Sequence, residues 1–64
     1  MDLSGKTILI TGAAGRIGSA TARFAIACGA DLVLADLAAE GLALLENELR
    51  QASGQKVHSF PSDI

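Results

Sequence analysis

One segment constrains the folding of this 64-residue chain more than any other: Thr11-Gly12-Ala13-Ala14-Gly15-Arg16-Ile17-Gly18, small residues almost throughout. It separates two stretches with different periodicities. Before it, Thr7-Ile8-Leu9-Ile10 is apolar at consecutive positions and rich in β-branched residues, the pattern of a strand at 7–10 buried on both faces. After it, Ile17, Ala20, Phe24, Ala25 and Cys28 recur at helical offsets, with Ser19 and Arg23 opposite. This spacing predicts a helix over 16–28 with those five residues on its buried stripe, and Gly29 as its C-terminal cap.

The pattern then repeats its order. Residues 31–36, Asp-Leu-Val-Leu-Ala-Asp, read as a second buried strand. A second helix is expected over 38–52, with Leu42, Leu45, Leu49 and Ala52 on one stripe and Glu46 placed to pair with Arg50. Gly41 costs that helix a little, and Gly54 follows its end. Residues 56–62 look extended, and Pro61 restricts that strand to a sheet edge or to its own last position. The order β-α-β-α-β with parallel strands puts both helices on one face of the sheet. Yet Ile8-Leu9-Ile10 and Leu32-Val33-Leu34 offer apolar side chains to both faces. The expected fold class is therefore α/β, a three-layer αβα sandwich with a parallel sheet, of which residues 1–64 form the first half. A longer polypeptide is the expectation, the alternative being a complete peptide that takes its missing layer from a partner.

Composition narrows the function classes. Half the residues are apolar and net charge is −2, which is globular composition, and the five basic residues are scattered, giving no footprint for nucleic acid. One cysteine and one histidine are too few for a disulfide or a zinc site. The N-terminus lacks a signal-peptide pattern, and Arg16 and Arg23 interrupt the alanine-rich stretch before it reaches membrane-spanning length. A soluble cytoplasmic protein without membrane contact is expected.

In the glycine turn, backbone can approach a ligand closely. Gly12 can take up a positive φ, Gly15 leaves main-chain N–H groups uncovered, and Gly18 lets the first helix pack close to the sheet. The helix N-terminus then offers free N–H groups and the positive end of its dipole to an anion such as a pyrophosphate. Asp36 ends the second strand 18 residues after Gly18, close to the separation of about 20 found in dinucleotide sites. Gly5-Lys6-Thr7 has the ending of a P-loop but precedes the strand rather than following it, so Lys6 reads as a solvated residue.

The segment 11–18 after Ile8-Leu9-Ile10, then Leu34-Ala35-Asp36, then Ser62-Asp63-Ile64, closely resembles the opening of a short-chain dehydrogenase/reductase, and the resemblance spans the chain. It implies a Rossmann fold, NAD or NADP as cofactor, an alcohol or carbonyl substrate, and a homodimer or homotetramer. The commoner family pattern is T-G-x-x-x-G-x-G. This chain has Arg16 at the middle glycine and fits T-G-x-x-G-x-x-G, frequent in the extended, nucleotide-sugar-processing branch. The lead-in Leu3-Ser4-Gly5-Lys6 and Ser62-Asp63-Ile64 look more like the shorter branch.

The candidate cofactor-binding residues are Thr11, Gly12, Gly15, Arg16, Ile17, Gly18, Asp36, Leu37, Asp63 and Ile64. Asp36 can accept hydrogen bonds from ribose hydroxyls and repel a 2′-phosphate, which favours NAD over NADP; its other reading is N-cap of the second helix. Arg16 is a contact to the cofactor phosphates, a contact to a 2′-phosphate, which Asp36 disfavours, or a solvent-facing cation. Asp63 resembles the family aspartate that binds the adenine amino group, with the Ile64 backbone beside it, or is a turn residue. His58 and Cys28 read as structural. The family's catalytic tyrosine has no counterpart, since the chain holds no tyrosine; no catalytic residue is assigned, and hydride transfer is expected of the continuation. Two alternatives to an NAD-dependent oxidoreductase stand beside it, a nucleotide-sensing non-catalytic Rossmann protein and an extended-type epimerase or dehydratase.

Overall fold

The computed structural model describes residues 1–62. The elements are β1 (Thr7–Thr11), α1 (Arg16–Ala27), β2 (Asp31–Ala35), α2 (Ala39–Ala52) and β3 (Val57–Phe60). The strands form one parallel sheet in the order β1-β2-β3, with Thr7 opposite Asp31 and Leu32 opposite Val57. Each connection thus moves one strand further across the sheet, crossing over through a helix as parallel strands need.

Alternation along the strands assigns the faces. Ile8, Ile10, Leu32, Leu34 and Val57 join Ala22, Ala25, Ile26, Leu42, Leu45 and Leu49 in one core cluster, so both helices cover the same side. On the other side Leu9 is 55% and Phe60 51% exposed. These strands carry apolar residues for two covering layers, and the described residues supply one.

The buried face of α1 differs from the expected stripe. Ile17, Ala20 and Phe24 are exposed, whereas Ala22, Ala25 and Ile26 are buried, so of the expected set Ala25 lies fully inside and Cys28 is half-buried. Gly18 lies on the same side of α1 as Ala22, one turn away, and its contact with the turn at Gly12 and Ala13 sets which side of the helix faces inward. α2 buries Leu42, Leu45 and Leu49 as its periodicity required, while Ala52 is exposed. Glu46 and Arg50 form their ion pair, Nε to Oε2 3.2 Å. α1 stops one residue early, at Ala27, where the Cys28 N–H still bonds back to Phe24 and Ala25 and Gly29 leaves the helix at φ +96°. β3 is shorter than its extended stretch, and Pro61 lies just beyond it at the sheet edge.

Candidate functional site

β1 ends at Thr11, exposed and in register with Ala35. Gly12 turns the chain at φ +63°, and a Cβ built on it would meet nothing within 4 Å. The turn closes through the Gly15 N–H, which donates to the Gly12 carbonyl at 3.0 Å, and Gly15 then serves as N-cap of α1 in extended conformation without any side-chain cap. The first bond of α1 runs from the Ser19 N–H to the Gly15 carbonyl, 2.9 Å. The amides of Arg16, Ile17 and Gly18 precede it, in the positions whose N–H groups a helix cannot satisfy internally. Arg16 and Ile17 are exposed there, and the first turn of α1 contains no acidic side chain.

Gly18 is required by contact. A Cβ on it would lie 2.2 Å from the Gly12 carbonyl oxygen and 2.9 Å from Ala13 Cα. The close approach predicted for this residue is thus between α1 and the turn itself, more than between α1 and the strands.

Asp36 lies one residue beyond β2, half-buried, and both its carboxylate oxygens are engaged. Oδ1 accepts the Ala38 N–H at 2.9 Å and Oδ2 accepts the Ala14 N–H at 2.9 Å. These two backbone donors, Ala38 first and then Ala14, hold the carboxyl below the ordinary aspartate pKa, against the smaller opposing effect of desolvation. The reading of Asp36 as N-cap of the second helix is corrected: the N-cap is Ala38, with no side-chain cap, and Asp36 bonds to that residue's amide from two positions upstream. Leu37, beside it, is 72% exposed.

The described site residues therefore converge at one end of the sheet, tied by the Ala14–Asp36 bond and by the Ala13 N–H to Ala35 carbonyl bond of 3.1 Å. Asp63 and Ile64 lie outside the described residues. His58 is exposed on β3, paired in register with Val33, away from the turn. Sequence reasoning missed Ala13 and Ala14, whose amides anchor the turn to the end of β2. It also gave Gly41 no role, yet a Cβ there would meet the Ala14 Cβ at 3.3 Å, so this glycine lets α2 approach the turn. The signal available was the absence of any bulky residue at positions 12–15.

What the arrangement offers chemically is a row of main-chain donors at the dipole-positive end of a helix, next to an ionised carboxylate with spare lone pairs. Among solved structures, a short-chain dehydrogenase/reductase from Burkholderia phymatum in complex with NAD is 36% identical with a TM-score of 0.90, covering 98% of this chain and 22% of that one. The L-sorbose reductase of Gluconobacter frateurii, complexed with NADPH and L-sorbose, is 32% identical with a TM-score of 0.92 over 98% of this chain and 24% of its own. A 2,5-dichloro-2,5-cyclohexadiene-1,4-diol dehydrogenase of Sphingobium indicum is 44% identical over 98% of this chain; the chain spans 24% of that relative's length. The short chain dehydrogenase family profile matches residues 6–64. With the glycine turn, the parallel sheet and this match in agreement, the chain belongs to the short-chain dehydrogenase family.

Proposed function

We propose that these residues form the ADP-binding half of a nicotinamide dinucleotide site, in an NAD(P)-dependent oxidoreductase acting on an alcohol or carbonyl. The Ala14–Asp36 bond carries this reading, because it fixes a carboxylate beside the glycine turn where pyrophosphate and ribose of one ligand are neighbours. The open space over Gly12 fits a phosphate, and the leading amides of α1, at Arg16, Ile17 and Gly18, fit its charge. Thr11, Gly12, Gly15, Arg16, Ile17 and Gly18 would hold the pyrophosphate, Asp36 and Leu37 the adenosine ribose, and Asp63 and Ile64 the adenine. The bound dinucleotide would supply hydride exchange; the residues of this segment bind and orient it. The bare sheet face and the coverage of about a quarter of each relative support reading residues 1–64 as the opening part of a single dinucleotide-binding domain.

NAD is the proposed cofactor over NADP. Each Asp36 oxygen accepts one backbone N–H and retains capacity for a ribose hydroxyl, whereas a 2′-phosphate would bring negative charge against a carboxylate held ionised. Arg16, at the start of α1, would meet the pyrophosphate common to both cofactors. Calorimetric titration of NAD and NADP into the intact protein and its Asp36→Ala variant tests the reading. The expected result is at least tenfold tighter NAD binding in wild type and loss of most of that preference in the variant. A wild-type preference for NADP, or an unchanged ratio, would overturn it.

A further inference from the structure

β3 forms an edge of the described sheet. The Leu32 N–H donates to the Lys56 carbonyl at 2.9 Å and the Asp36 N–H to the Phe60 carbonyl at 3.4 Å, so residues 56, 58 and 60 turn their backbone groups toward β2. By the alternation of a strand, Val57 and Ser59 turn theirs outward, to the side where no described strand pairs, and Pro61 follows just past the strand's end. Such a row of unpaired groups is ordinarily a template for another chain.

Here the row is broken at both ends. Arg50 reaches from α2 to the outward Val57 carbonyl, with Nε at 3.0 Å and Nη2 at 2.6 Å. Glu46, one helical turn earlier, holds the guanidinium through Oε2 and accepts the Ser59 hydroxyl through Oε1. At the other end Pro61 has no N–H to give. A cleft of about 450 Å³, lined by Arg50, Gln55, Lys56, Val57 and His58, runs alongside. The edge is therefore reachable, and what is withheld is hydrogen bonding. The exposed Lys56 adds a charge that a second copy would have to meet.

We propose that Arg50, positioned by Glu46, together with Pro61 closes the β3 edge against strand addition by a second copy of this chain. Whatever assembly the protein forms joins through other surfaces. Arg50→Ala frees the Val57 carbonyl and Pro61→Ala restores an N–H, so the double variant of the intact protein recreates a continuous edge. Sedimentation velocity over a concentration series is expected to show association at least tenfold tighter than wild type. Hydrogen-exchange mass spectrometry is expected to show new protection in residues 57–61 of the associated form. Pro61→Ala alone, which leaves the Arg50 contacts intact, gives a smaller rise with protection at the same place, and serves if the double variant fails to fold. Association unchanged from wild type overturns the proposal. So does stronger association without protection in residues 57–61, since the contact would then lie elsewhere.

Discussion

Gly18→Ala probes the contact on which the geometry of the turn depends. The added Cβ would sit 2.2 Å from the Gly12 carbonyl oxygen, while ordinary contact begins at 3.4 Å, so the two must separate by about 1 Å. The obstacle is backbone, and no rotamer change relieves it. Nor is that carbonyl free to move, because it accepts the Gly15 N–H at 3.0 Å and the next amide, Ala13, is bonded to Ala35 at 3.1 Å. Overpacking of this kind costs about 1–3 kcal/mol. Loss of the turn hydrogen bond adds about 1 kcal/mol, and exchanging glycine for alanine in a helix returns up to about 1 kcal/mol. The net expectation is a loss of about 1–3 kcal/mol. Gly54→Ala is the control: its Cβ would meet nothing within 4 Å and its φ is not positive. That substitution should be neutral or stabilise by up to about 1 kcal/mol. Urea denaturation of the intact protein measures both. A Gly18→Ala protein as stable as wild type would falsify the claim that this close approach holds α1 against the turn.

Two further outcomes are expected. Gly12→Val places a β-branched residue at φ +63°, a conformation it strongly disfavours, and its side chain would enter the open space above the turn; dinucleotide affinity should fall at least tenfold, about 1.4 kcal/mol, and equal calorimetric affinities would refute the assignment. The Asp36 carboxyl is held below its ordinary pKa by the Ala38 and Ala14 amides, so its contribution to stability is present above the unfolded-state pKa and lost as pH falls through the lowered folded-state value; the urea midpoint should drop more over that interval in wild type than in Asp36→Asn, and parallel curves would show that the carboxylate adds nothing.

The element order and the α2 stripe were legible because large residues decide them. Leu42, Leu45 and Leu49 have no alternative face to occupy, and the consecutive apolar positions of β1 and β2 cannot all be solvated. The glycine turn was legible for the complementary reason, since Gly12 takes a backbone conformation few other residues tolerate. α1 was misread because hydrophobicity ranks Ile17 and Phe24 above Ala22, whereas the contact of Gly18 with the turn decides which side of the helix faces inward. The Ala14–Asp36 bond joins positions 22 residues apart through a main-chain donor, and a backbone amide has no sequence signature. Gly41 looked like a weakness of α2 for the same reason: its purpose is the proximity of Ala14, a contact made in three dimensions.

The fastening of the turn at Ala13 and Ala14 has a thermodynamic consequence. Because both amides are anchored to the end of β2 within the protein itself, the conformational freedom of the turn is given up when the chain folds rather than when a ligand arrives. Association then carries no ordering penalty for this segment. The heat-capacity change on binding would report the apolar surface the ligand covers, with no added contribution from a coil condensing around it.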